Sequence, residues 1–335
     1  MTALSSPPVD KRQRFWGRFT TRFPEARLAL IYILPAFVVM AFITFYPILY
    51  QLWLSFTDFQ LKHLRSMNPD FVGLHNFIRV MVEGLPVTNY DFGRVLVFNL
   101  VWTAINVFLH VTIGILIAMA VNTKDLPGRR VYRTLFVIPW ALPSLISGMM
   151  WANMWHDKFG AINLLLQALG FEGNIRWLLE TEPIVNLPQI GLVLPLSFIA
   201  VLIANVWLGW PFMMVIATGA LQSIPNDLYE AADVDGATSW QKFWNITLPL
   251  LRPAMIPAIM IGIMMTFNQF NIIFFVTEGG PIGLTEILVT QGFKLVNPQG
   301  WYGVASAFNI IVFVILAIIT LFTNRISRAT EPYYT

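Results

Sequence analysis

The chain has no cysteine among its 335 residues, which excludes disulfides and thiolate metal sites. Charge is scarce too. Asp, Glu, Lys and Arg make up 12% of the residues, about half the share of an ordinary soluble domain. What charge there is leaves long gaps: uncharged runs cover residues 28–57, 95–123, 134–156, 183–226, 253–277 and 295–324. The shortest holds 23 residues, and a helix crosses a hydrocarbon core in about 20. A chain in lipid must satisfy its own backbone hydrogen bonds. The expected class is therefore an all-α polytopic membrane protein with six transmembrane helices.

Other absences narrow the function. No GxxxxGK[ST] phosphate loop occurs, so this chain is not expected to hydrolyse ATP through that motif. The four histidines, His63, His75, His110 and His156, lack metal-ligand spacing. His110 falls inside an apolar run and is read as a packing or hydrogen-bonding residue rather than a proton relay. The expected spans carry no Asp, Glu, Lys or Arg, which speaks against an ion-coupled secondary transporter. A membrane enzyme acting through Glu230 or Asp233 would need a nucleophile or metal cluster nearby, and the stretch has neither His nor Cys.

The spans are expected at about 30–52, 96–121, 134–155, 195–221, 254–276 and 304–324. The run over 183–226 is long enough for two crossings, but Pro188 and Pro195 assign its first part to a loop or helix start. With the N-terminus inside, fourteen Lys and Arg fall on the cytoplasmic side and seven outside, which sets both termini in the cytoplasm. The net charge of +3 and pI of about 9.2 reflect this bias and do not argue for nucleic acid. Residues 1–27 include KRQRFWGRFTTRF, a basic, aromatic segment expected to lie along the cytoplasmic interface with membrane lipid. No cleavable signal peptide is expected.

Between the last cytoplasmic-to-outward crossings sits a charged insert, residues 222–252, within which the chain reads YEAADVDGATSWQKFWNITLP. Asp227 and Glu230 have capping-box spacing, Gly236 is placed as a left-handed helix stop, and Ser239 as the cap of a second helix over 240–246. Pro249 and Pro253 are expected to end that helix before the next span. A capped amphipathic loop and a docking element both fit.

Two spans also carry polar and small residues on one face. Asn205, Leu208, Gly209 and Phe212, and Gly262, Met265, Thr266 and Gln269, each follow i, i+3, i+4, i+7. Amides, hydroxyls and an aromatic ring suit sugar hydroxyls and the apolar sugar face. Helix–helix packing collects the same residue types. Pro139, Pro143, Pro211 and Pro257 fall within spans, either as gating points or as fixed kinks.

The insert resembles the EAA loop of permease subunits in bacterial ABC importers: Glu230, Ala231 and Ala232, then Gly236, then Ile246, Leu248 and Pro249. The segments FVGLHNF, RTLFVIPWALPSL and TEGGP resemble the carbohydrate-uptake branch, and the stretch from NVWLGWPFMM to FNQFNIIFFVTEGGP resembles the maltose/maltodextrin (MalF-type) family. This chain departs from that family's enterobacterial form in lacking its extra N-terminal spans and large external insertion. The resemblance implies the type I ABC importer permease fold over 28–335, with a cytoplasmic coupling helix seated in an ATPase subunit through Glu230, Ala231, Ala232, Asp235 and Gly236. It implies a second permease subunit, two ATP-binding subunits, an extracytoplasmic sugar-binding protein and a small oligosaccharide as partners. No cofactor is expected in this chain, with ATP and Mg bound by the ATPase subunits. The eight span residues match positions lining the maltose pocket, but Phe212, Met265, Thr266 and Gln269 differ in type from that family's residues. Maltose, maltodextrin, trehalose and other oligosaccharides fit this reading, and glycerol-3-phosphate remains an alternative.

Overall fold

The computed structural model describes residues 24–87, 90–123, 126–297 and 299–327. Residues 1–23 of the expected interfacial segment lie outside that range, as do Lys124 and Arg328. The chain divides into two units, one ending at Leu54 and one beginning at Ser55. The first is an apolar helix, α1, which runs over Pro24–Met40 and through a π-helical turn at Ala41–Phe45 into Tyr46–Ser55.

The second unit holds the remaining crossings. After the short helix α2 (His75–Ile78) comes α3 (Phe92–Val121). Asp91 starts α3 by accepting the Arg94 N–H at 3.0 Å, the ordinary way to occupy an orphan donor of the first turn. Asn99, Thr103, Asn106 and His110 are all buried on α3, and their spacing of four, three and four puts them on one stripe. Polar residues within a span face protein rather than lipid. Here they face α7 (Leu196–Ser223) and the end of α10 (Leu248–Phe267). Gly114 lets α3 and α7 touch: a Cβ there would lie 2.6 Å from Met213 Cβ and 2.8 Å from the Met214 nitrogen. Small residues permit such close crossings in lipid, where apolar burial alone gives little drive to associate.

One expected span is broken. Helices α4 (Arg129–Ala141) and α5 (Ser144–Met154) meet at 91° instead of forming one rod over 134–155. The cause is in the sequence. Leu142 precedes Pro143, which pushes it out of the helical region, and its ψ is 139°. Beyond α5 lie α6 (Ala161–Ala168) and an antiparallel hairpin, β1 (Pro183–Leu187) and β2 (Leu192–Pro195), which turns at Gly191 with φ of +68°. That hairpin occupies the front of the 183–226 run, leaving α7 as its single crossing.

The charged insert forms α8 (Asn226–Val234) and α9 (Ser239–Lys242). A π-helical turn over Phe243–Thr247 leads from α9 directly into α10. Pro249, Pro253 and Pro257 therefore all fall within one continuous helical run. The expected break before the span is absent, and the span reaches from Ser239 to Thr277 with one break at Asn268 and Gln269. It ends with α11 (Phe270–Thr277), and α12 (Leu288–Val296) and α13 (Tyr302–Ser327) complete the chain. Among the described residues, five helices are long and apolar enough to cross a membrane, or six with the bent α4–α5 pair.

Three buried clusters hold the second unit together. Phe98, Trp102, Trp151, Trp155 and Phe198 join α3, α5 and α7. Met213, Met214, Leu251 and Met255 join α7 to α10. Phe267, Leu288, Leu295 and Phe308 join α10, α12 and α13.

Candidate functional site

A cleft of about 70 Å³ opens between α7 and α10. Its lining includes all eight residues singled out from the two helical faces: Asn205, Leu208, Gly209 and Phe212 from α7, and Gly262, Met265, Thr266 and Gln269 from α10 and the turn after it. The geometry puts them at one place but leaves their chemical roles open. His110, Trp140 and Met213 also line the cleft and were missed in the sequence. For His110 the signal was the polar stripe on α3. Trp140 had no such signal, because the bend after α4 decides where it points; its ring stands 5.8 Å from that of Phe212.

The floor of the cleft is a run of amides. Gln269 Nε2 donates to Asn205 Oδ1 at 3.1 Å, Asn205 Nδ2 to Asn106 Oδ1 at 2.8 Å, and Asn106 Nδ2 to the Trp102 carbonyl at 2.8 Å. Buried amides joined this way are satisfied and rigid. His110 Nε2 donates to the Asn205 carbonyl at 3.1 Å, because a carbonyl oxygen can only accept. The expectation of a hydrogen-bonding histidine agrees with this contact. Gly209 makes room for it, since a Cβ there would run into the imidazole ring. Gly262 has the same use toward Met213, whose Cε would lie 2.6 Å from an added Cβ.

Gln269 lies at a break in the span. Asn268 and Gln269 leave the helical region between α10 and α11. The carbonyls freed there are taken from α3: Trp102 Nε1 donates to Thr266 O at 3.1 Å and Asn99 Nδ2 to Phe267 O at 3.2 Å. Irregular backbone persists at membrane depth only when protein or a polar cavity satisfies it. Asn268 and Asn271, adjacent in sequence, turn elsewhere. Asn268 Nδ2 donates to Met264 O at 3.2 Å, and Asn271 Nδ2 to Ser144 Oγ at 2.8 Å.

At one end of the same span, α8 and α9 make a compact pair. Gly236 has φ of +74°, the left-handed stop its position implied, with Ala237 N donating to Ala232 O at 2.9 Å. Lys242 Nζ and Asp233 Oδ1 join the two helices at 2.6 Å, and the Tyr229 hydroxyl meets that of Thr247 at 2.9 Å. The expected capping box does not form. Pro225 holds the N-cap position in extended backbone, which leaves Asp227 in the first turn and Glu230 with no side-chain partner among the described residues. The box forms one helix later, at Thr238 and Gln241 rather than Ser239. Glu230, Ala231, Asp235 and Gly236 are exposed and Ala232 partly so, so the outer face of α8 is open.

A multi-pass helical protein with a polar cleft inside its spans and an exposed helix pair at one end belongs to the membrane transport proteins. Residues 110–332 match the family described as binding-protein-dependent transport system inner membrane component, and this chain is a member of it. It is 33% identical over 309 residues to the trehalose/maltose transport system permease protein MalF of Thermococcus litoralis, covering 92% of this chain and 96% of that one. It is also 33% identical over 302 residues to the galactooligosaccharides transport system permease protein GanP of Bacillus subtilis, covering 88% and 69%. A chain of a bacterial ABC transporter that imports the acidic polysaccharide alginate shares the fold, with a TM-score of 0.74 at 20% identity over 95% of this chain and 99% of that one.

Proposed function

We propose that this chain is the membrane-spanning permease subunit of an ATP-driven importer for maltose, maltodextrin or a related neutral oligosaccharide. The observation that carries the reading is the cleft at the break between α10 and α11, where amides, a histidine and two aromatic rings converge. Each sugar hydroxyl both donates and accepts, as amides do, and the rings of Trp140 and Phe212 offer a surface for the apolar sugar face. Among the described residues no Lys or Arg lines the cleft, which favours a neutral sugar over glycerol-3-phosphate or an acidic saccharide.

In this reading the subunit has no ATPase of its own. ATP and Mg are held by two ATP-binding subunits, and the exposed face of α8 seats in one of them, with Glu230 placed for a basic residue there. Because α9 runs without a break into α10, a push on α8–α9 is carried along one helical rod to the cleft. A second permease subunit completes the site, and an extracytoplasmic binding protein delivers the sugar. Both termini of this chain face the cytoplasm.

The test is to purify the chain with what accompanies it from its native membrane and reconstitute it in liposomes. ATP hydrolysis should rise when a cognate sugar and its binding protein are added together. Sugar movement without ATP by the chain alone would overturn the reading in favour of ion coupling.

A further inference from the structure

A second polar cavity, of about 380 Å³, opens beyond the far end of α11. Thr277, Glu278, Gly280, Glu286, Gln291 and Lys294 contribute to its wall. Since Ser239–Thr277 is a single crossing, this cavity lies at the membrane face opposite α8 and α9.

The cavity is built around a buried charge. Glu286 is 4% exposed, and its carboxylate accepts from the Lys294 ammonium and the Thr290 hydroxyl. Gly279, with φ of +78°, lets the loop backbone close over that carboxylate, because any Cβ there would collide with it. Lys294 Nζ also donates to the Glu278 carbonyl at 2.7 Å.

Two observations point to a ligand. Gln291 is 3% exposed and lines the cavity, yet its Nε2 has no hydrogen-bond partner. A buried amide left unpaired is costly. The Glu278 side chain also lines the cavity and is exposed, and its carboxylate has no partner among the described residues. An unpaired donor and an unpaired acceptor thus line one cavity. An anion would meet the carboxylates of Glu278 and Glu286, and a cation would meet Lys294. A neutral polyhydroxyl compound satisfies both sides, since each hydroxyl donates and accepts.

We infer that this cavity is a second carbohydrate site, an outer vestibule that holds an oligosaccharide before it reaches the cleft. The inference rests on the sugar-importer reading above. Helix α11, eight residues long, separates the two sites by about 12 Å, so passage between them is one short step along a single helix.

The experiment uses the complex purified from its native membrane, in lipid nanodiscs, with diazirine-bearing maltotriose, trehalose and galactotriose, and maps the photolabelled peptides of this chain by mass spectrometry. Labels are expected on the cleft residues of α7 and α10 and, separately, within 277–294. Gln291→Leu should reduce labelling of 277–294 about five-fold, the order of one neutral hydrogen bond, while the cleft labels as before and reports that the variant is folded. Gln291→Asn should restore part of the loss. Labelling confined to the cleft, or labelling of 277–294 unchanged in Gln291→Leu, would overturn the vestibule and leave the sugar reading standing. No labelling at either place by any of the three probes would overturn both.

Discussion

Gly209→Ala is the sharpest probe of the cleft, because one methyl group sets three effects against each other. The new Cβ falls on the imidazole of His110. That ring is 4% exposed and is fixed by its bond to the Asn205 carbonyl, so its open direction is into the cleft it lines. Turning it gives up that bond, worth about 1 kcal/mol. Overpacking adds about 1–3 kcal/mol, and the better helix propensity of alanine returns at most about 1 kcal/mol. The expected net loss is about 1–3 kcal/mol in thermal or denaturant unfolding of the purified protein. Sugar-stimulated ATP hydrolysis should fall further than the stability loss accounts for, because the displaced ring occupies the cleft. A double-mutant cycle with His110→Ala isolates the clash: the double variant should be less destabilised than the sum of the singles. Additive losses, or a Gly209→Ala protein as stable and active as the parent, would refute the proposed contact.

Asn99→Leu should cost about 2–4 kcal/mol in unfolding, because it strips partners from both the Phe267 carbonyl and the Leu288 N–H at a buried site. Glu230→Ala should leave unfolding unchanged within about 0.5 kcal/mol, as the side chain has no partner among the described residues, while co-purification of the ATPase subunit falls sharply. A loss of stability would restore the capping role, and unimpaired docking and transport would remove the coupling role. Thr238→Ala removes the cap of α9 and should cost about 0.5–2 kcal/mol of local helix stability, read as faster amide hydrogen exchange over 238–243. Unchanged exchange would mean that packing rather than the cap holds that turn.

Much of this protein is legible in its one-dimensional pattern, for a plain physical reason. In lipid, backbone groups must be satisfied within a segment, so each crossing is a long uncharged run, and those runs read directly as α1, α3, α7, α10 and α13. The two cleft faces were legible because helical spacing alone brings residues three and four apart to one side. Gly236 was legible because glycine alone takes its left-handed turn freely. The EAA loop could be recognised for what it resembles, but its inner contacts could not: Pro225 displaced the expected cap, and the π-turn carried α9 through the expected break.

Other features depended on long-range packing. Trp140 reaches the cleft because the chain bends by 91° at Leu142–Pro143, and which helices it then meets is outside the reach of the local sequence. Asn99 and Trp102 hold open the break after Phe267 from residues more than 160 positions away. Periodicity and propensity are local, so they report which face a residue occupies on its own helix. Which helix that face meets, and whether a polar group there is spent on a neighbour or left free, is settled only when the spans pack together.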